Sequence, residues 1–271
     1  MNKQYIAVVD SGIGGISVLT ELIKNFPNQN FLYLGDNDNA PYGNRSKQNL
    51  LSLCIHNINI LKQYPIKAIV LACNTLSVNL LNEINEYSNI KTFGIFPPVE
   101  TCEIKGEKTL LLATQRTCLK YKDSNFVKSI GFYDLAKKIE DCVFDINSIN
   151  VLSCKYNSKI NLSTIKKGEF TNLIIGCTHY NFVKNQIVDH FQPQKVFDGT
   201  ENLISNIKKF IKIEKTLGMS LQNQVLFIGK NAKFNKKVYE KCGQTMLKND
   251  IFIQKSWIFF IKRVDSGQNV C

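Results

Sequence analysis

The sequence predicts an α/β protein in which parallel sheets carry helices on their faces, arranged as about two domains. Three observations predict it. Short β-rich runs alternate with stretches of helical period along most of the chain, which is the pattern of strand, crossover helix and parallel strand. The length, 271 residues, corresponds to about two units at roughly 150 residues each. One strand-end pattern also occurs twice, about one domain apart, at Ala68 to Thr75 and at Asn172 to His179.

In chain order, the first strand is expected over Tyr5 to Val9, ended by Asp10 and the turn Ser11 to Gly15. The helix after it sets Leu19, Leu22, Ile23 and Phe26 on one face, at i, i+3, i+4 and i+7. Strands follow at Phe31 to Leu34, Ala68 to Leu71 and Thr92 to Ile95, and a second helix aligns Leu80, Leu81, Ile84 and Tyr87. Pro97-Pro98 marks a break, because proline continues neither a helix nor a central strand. Beyond it, strands are expected at Thr109 to Ala113, Asn172 to Ile175 and Lys195 to Phe197, with a helix burying Leu203, Ile204, Ile207, Phe210 and Ile211. Gln224 to Ile228, a basic helix over Lys233 to Lys241 and the run Ile251 to Gln254 complete one of the two sheets, and the sequence leaves open which. Trp257 to Ile261 reads as a last strand or helix, or as a dimer contact.

Composition excludes several classes. With 44% hydrophobic and 10% aromatic residues the chain has ample apolar material for a core. Met1 to Gln4 leads into a short apolar stretch that Asp10 ends, too short for a secretory signal, and no run approaches the ~18 apolar residues of a membrane span. A cytoplasmic protein is expected. Nine cysteines without Cys-x-x-Cys pairs or clusters at zinc spacing indicate reduced thiols rather than a disulfide framework or a metal centre. The net charge of +12 invites a nucleic-acid reading. However, the basic runs Lys166-Lys167, Lys208-Lys209, Lys233 to Lys241 and Lys262-Arg263 are mostly interrupted by apolar positions and read as solvated helix faces.

The repeated strand end carries the chemistry. In each copy a buried strand leads through a small residue to a cysteine, Cys73 or Cys177, and then to polar residues opening a helix. The carboxyl ends of strands are where open α/β sheets bind their ligands. A helix amino terminus there favours a thiolate and lowers a cysteine pKa from its usual ~8.5, and its N–H groups can hold a carboxylate. Asn74, Thr75 and Thr178 are expected to add side-chain donors. The turn Ser11 to Gly15 lacks the third glycine of a dinucleotide fingerprint, where Ser17 stands, and the ending of a nucleotide loop. It reads as a tight wall around a small anion, with Asp10 available to bind an ammonium or act on a thiol. Pro41-Tyr42-Gly43 and the hydroxyls of Thr114 and Thr117 can reach the same cleft. His179, two residues beyond Cys177, is placed to exchange protons with it, whereas His56 and His190 lie on helical stretches and read as structural.

These residues resemble the cofactor-independent glutamate racemases of the aspartate/glutamate racemase superfamily. The matching motifs are Asp10 to Gly15, Pro41-Tyr42-Gly43, Ala72 to Thr75, the pair Thr114 and Thr117, and Gly176 to Tyr180, in the family's order. The resemblance implies two flavodoxin-like domains whose parallel sheets face each other across the active site, residues 1–97 plus about 208–271 forming one and 98–207 the other. It implies an isomerase needing neither cofactor nor metal, with glutamate as substrate, frequent homodimers, and a role in supplying D-glutamate for peptidoglycan and so in cell wall biogenesis and cell shape. Carried over by position, Cys73 and Cys177 are the acid/base thiols, assisted by Asp10 and His179 respectively. Ser11, Pro41, Tyr42, Gly43, Asn74, Thr75, Thr114, Thr117 and Thr178 join Asp10 and His179 around the substrate. Chemistry favours this arrangement independently, since inverting a Cα centre needs one proton-transfer group on each face.

The sequence also departs from the family. Leu76-Ser77-Val78 follows the first cysteine motif where small residues are usual, and the nearest counterpart by spacing to a further family glutamate in the middle segment is Asp145. An aspartate or broader amino-acid racemase is the alternative within the enzyme class. Outside it stand a non-catalytic nucleic-acid-binding protein on the same fold and an inactive homologue.

Overall fold

A computed structural model describes residues 4–144, 168–211, 224–243 and 258–262. Two parallel sheets make the frame. The first has six strands: β1 (Tyr5–Asp10), β2 (Asn30–Gly35), β3 (Ile66–Leu71), β4 (Thr92–Gly94), β9 (Gln224–Ile228) and β10 (Ile258–Lys262), in spatial order β10-β9-β2-β1-β3-β4. The second has four: β5 (Thr109–Thr114), β6 (Val127–Phe132), β7 (Asn172–Gly176) and β8 (Lys195–Phe197), in order β6-β5-β7-β8. The helices between them are α1 (Gly15–Asn25), α2 (Lys47–Leu61), α3 (Asn74–Ser88), α4 (Val99–Ile104), α5 (Gln115–Cys118), α6 (Leu135–Phe144), α7 (Lys184–Phe191), α8 (Thr200–Phe210) and α9 (Ala232–Val238).

The carboxy-terminal strands return to the first sheet, β9 pairing with β2 and β10 with β9, which settles what the sequence left open. Most of the run Trp257 to Ile261 falls in the edge strand β10, whereas Ile251 to Gln254 lies outside the described residues. Strand β6 has no counterpart among the expected strands. Lys128, Ser129 and Gly131 interrupt its apolar pattern and only Val127 is buried, as suits an edge strand with one neighbour.

Successive residues of a strand face opposite sides of its sheet, and in the central strands both sides are apolar, as a sheet covered on both faces requires. Ile6 and Val8 of β1 join Leu110 and Leu112 of β5 and Leu173 and Ile175 of β7 in one continuous core. Ala7 and Val9 face the other way, with Ile69 and Leu71 of β3, into a core shared with Leu50 and Ile58 of α2 and Leu80 and Ile84 of α3. The two sheets therefore pack around a common interior. Helix α1 buries Leu19, Leu22 and Ile23 there, as its period predicts.

Two expected helix faces each leave one position exposed. Leu80 and Ile84 of α3 are buried, but Tyr87 is exposed beneath the Lys62 ammonium. On α8, Leu203, Ile204 and Ile207 are buried, as is Ile211 just beyond its end, while Phe210 is exposed. His56 and His190 both stand exposed on their helices and neither lines the cavity described below. The basic stretch forms α9, continued by a wider helical turn to Gly243, with Lys233 and Lys237 in solvent. No helix among the described residues is long and apolar enough to cross a membrane.

Candidate active site

The expected site residues stand where the fold delivers them, at the carboxyl ends of central strands. Asp10 ends β1, Thr114 ends β5, and Cys73 and Cys177 follow β3 and β7 as the residues capping the helical turns that start at Asn74 and Thr178. Each sheet contributes one thiol. Both thiols line a single cavity together with Ser11, Pro41, Tyr42, Gly43, Asn74, Thr75, Thr114, Ala136 and His179. Its volume is about 10 Å³, room for roughly one water molecule. The space as it stands is smaller than an amino acid.

Three expected lining residues stand one layer back. Asp10, Thr117 and Thr178 are buried without reaching the cavity surface. Asp10 Oδ1 accepts the Gly12 N–H at 2.8 Å and Oδ2 accepts the Thr178 hydroxyl at 3.1 Å. Thr75, Thr114 and Thr117 join their hydroxyls at 3.0 to 3.3 Å, linking α3 to the end of β5. The Asn74 amide nitrogen donates one N–H to the Ile95 carbonyl at 3.4 Å, and its buried Oδ1 has no partner. The side chain thus adds an acceptor to its remaining N–H. Tyr42 lends its ring to the wall, and its hydroxyl donates to Asp36 at 2.5 Å. Leu76 is fully buried in the same core as Cys73, and the Ser77 hydroxyl bonds the Leu71 and Cys73 carbonyls at 2.8 and 3.0 Å.

The two thiols have different surroundings. At Cys73, burial is the main influence and the Asp10 carboxylate adds to it, while the Leu76 N–H at the helix start and the Ser11 hydroxyl oppose them; the thiol is pushed well up. The lowering expected from a helix amino terminus is thus overcome, because a sulfur out of water beside an acid disfavours a second negative charge. Burial likewise raises Asp10, against the nearby His179. On the other side, burial opposes a charge on His179, but its hydrogen bonds to Cys177 and Glu140, with the charges of Glu140 and Asp10, prevail and hold it well above the ordinary histidine range.

Glu140 is a site residue that the sequence patterns did not single out. It stands on α6, 3% exposed, with Oε2 2.6 Å from His179 Nε2 and accepting the Ile13 N–H at 3.1 Å. The carboxylate that the middle segment brings to the site is Glu140; Asp145, suggested by spacing, lies outside the described residues. A signal was available: with Leu135, Ala136 and Ile139 buried, Glu140 falls on the apolar stripe of its own helix, where an acid needs a partner. The turn Ser11 to Gly15 also gains a different meaning. A Cβ on Gly12 would stand 2.5 Å from the Glu140 carboxylate, and one on Gly14 2.5 Å from His179 Nδ1 and Thr178 Oγ1. The glycines let the backbone close on the His179–Glu140 pair, while Ser11 of the same turn faces the cavity. Among the described residues no cluster of three or more His, Cys, Asp or Glu is arranged to hold a metal ion.

Two parallel sheets that set one thiol each on a small cavity fit an isomerase of the amino-acid racemase class. Comparison with known proteins narrows the class. No family model matches the chain. It is 34% identical over 224 residues to a glutamate racemase from Clostridium acetobutylicum, covering 78% of this chain and 84% of that protein. It is 31% identical over 229 residues to one from Leptospira interrogans, covering 80% and 87%. Among solved structures, a glutamate racemase isoform from Bacillus anthracis superposes with a TM-score of 0.69 at 23% identity, over 98% of this chain and 99% of that one, and so shares the fold. The chain belongs to the glutamate racemase family.

Proposed function

We propose that the protein interconverts L- and D-glutamate by two-thiol acid/base chemistry. The observation that carries this reading is that Cys73 and Cys177, from different sheets, line one cavity. Relatives named as glutamate racemases support glutamate as the substrate.

In the L-to-D direction, a Cys177 thiolate takes the α-proton: the Cα–H bond breaks, an S–H bond forms, and the electron pair stays on Cα in conjugation with the carboxylate. The Cys73 thiol then gives its proton to the opposite face, leaving Cys73 as the thiolate. The D-to-L direction reverses both transfers. The raised Cys73 thiol suits its role as the proton donor. A charged His179 offers a thiolate at Cys177 its counter-charge, and Glu140 keeps His179 charged. The orphaned Asn74 Oδ1 offers an oxygen to the substrate ammonium, while the buried Asp10 braces the glycine turn and Thr178 behind the cavity wall. Backbone N–H groups at the two helical starts, with the hydroxyls of Thr75 and Thr114, share the carboxylate charge as the carbanion develops. Ser11, Pro41, Tyr42 and Gly43 shape the wall, while Thr117 and Thr178 hold Thr114 and Asp10 in place.

The same reading divides the chain into residues 1–97 plus about 208–271 and residues 98–207, supported by sheet membership. It takes the protein as a cytoplasmic homodimer that supplies D-glutamate for peptidoglycan without a cofactor and without binding nucleic acid. Optical rotation of L- and D-glutamate, and separately of L- and D-aspartate, tests it with reduced protein. Glutamate should reach an equal mixture and aspartate should not; an equal rate on aspartate, or no inversion of glutamate, contradicts the reading.

A further inference from the structure

The carboxy-terminal helix α9 reaches the Cys177 side of the site through two buried amides. Asn235 of α9, 1% exposed, donates from Nδ2 to Asn37 Oδ1 at 2.9 Å. Asn37, just beyond β2 and 6% exposed, donates from Nδ2 to Glu140 Oε1 at 2.5 Å. Glu140 Oε2 meanwhile meets the Ile13 N–H and His179 Nε2. Both oxygens of the carboxylate are thus fixed, one by each arm.

The chain of amides has a direction. A carboxylate only accepts, so Asn37 must turn its NH₂ to Glu140 and its carbonyl away, and Asn235 must answer with its own NH₂. Reversing either amide would set two acceptors against each other. The far end bears the consequence: Asn235 Oδ1 is buried with no partner. An orphaned acceptor at the remote end of an otherwise satisfied chain indicates that its orientation is set at the Glu140 end. Space agrees with this. A Cβ on Gly35 would stand 2.9 Å from Asn235 Nδ2 and 2.5 Å from the Gly12 carbonyl, so the end of β2 lies tightly between α9 and the glycine turn.

We infer that Asn37 and Asn235 are positioning residues for the racemisation reaction, holding the Glu140 carboxylate in the orientation that supports proton transfer at Cys177 through His179. This rests on the two-thiol reading above. The groups facing His179 are Glu140, Asp10 and Cys177, and an amide donor on Glu140 moderates the negative charge that His179 experiences. Removing Glu140's charge and removing its amide donor should therefore move the histidine's proton loss in opposite directions.

The experiment compares Asn37→Leu, Asn235→Leu and Glu140→Gln by pH profile and by isotope effects with α-deuterated L- and D-glutamate. Because enantiomers are equal in energy, kcat/KM must fall by one factor in both directions, and the side affected is read from the isotope effects. Asn37→Leu is expected to lower kcat/KM about tenfold and Asn235→Leu about fivefold, as the loss of a charged and of a neutral hydrogen bond suggests. In both, the isotope effect with L-glutamate rises, that with D-glutamate falls, and the limb of the profile reporting His179 moves to higher pH. In Glu140→Gln the same limb moves to lower pH. Asn235→Leu removes one orphaned acceptor while leaving Asn37 Oδ1 as another, so its thermal stability holds while its kinetics shift, which a merely structural role does not produce. Unchanged isotope effects and an unmoved limb in both Asn variants, with Glu140→Gln behaving as stated, overturn the inference. Unchanged behaviour in Glu140→Gln overturns the underlying reading of His179 and Glu140 instead.

Discussion

The two cysteine-bearing strand ends share one layout in sequence and differ in what surrounds them. Cys73 sits near Asp10, an acid that burial drives towards its neutral form, and its own thiol is pushed up. Cys177 sits against His179, which a buried carboxylate keeps charged. A local motif therefore sets where a thiol stands, and tertiary packing sets which ionisable groups surround it. The asymmetry suits a reaction in which one thiol is the base while the other is the acid.

Loss of a thiol challenges this asymmetry most severely. Cys73→Ser and Cys177→Ser should each lower racemisation by about 10²- to 10⁴-fold, the usual worth of a positioned acid or base. Wild-type activity in either variant would show that the two sides are not both required.

Removing the carboxylate on one side comes next. Glu140→Ala leaves His179 buried without its ionic partner and should cost about 3 to 5 kcal/mol in denaturant unfolding. A loss below about 1 kcal/mol would match an exposed pair and contradict the buried one. Gly14→Ala probes the same side through space, since its Cβ would meet His179 Nδ1 and Thr178 Oγ1. Thermal or denaturant unfolding should show a loss of about 1 to 3 kcal/mol, as for an overpacked site; unchanged stability would mean that the turn has slack there.

The mildest probe is pH. A His179 pKa raised in the fold contributes stability that is complete below the ordinary value of 6.5 and is lost as pH rises through the raised value. Asp10, also raised, acts in the same direction from 3.8 upward, because the folded state again holds the proton more tightly than the unfolded one. Unfolding free energy should decline above pH 6.5, and Glu140→Gln, which removes part of what raises His179, should make that decline smaller. Stability that rises over this window would contradict the charged histidine.

Much of the frame was legible in the residues. The central strands are short apolar runs bounded by turn signals, so β1, β3, β5 and β7 follow from their own sequence, and with them the places of Cys73 and Cys177. Strand β6 was not legible because an edge position tolerates lysine, serine and glycine. The return of β9 and β10 to the first sheet depends on pairing across the chain, which no local pattern encodes. Glu140 escaped notice for a related reason. Its partners His179, Ile13 and Asn37 lie far away in sequence, and distance along the chain pointed to Asp145 instead.

The decisive measurement is deuterium incorporation at Cα of glutamate in D₂O, using reduced protein without added cofactor, beside Cys73→Ser and Cys177→Ser. Wild-type protein should deliver solvent deuterium to Cα in step with inversion, and both variants should lose inversion. Inversion that persists without either thiol, or without uptake of solvent deuterium, would contradict two-thiol racemisation.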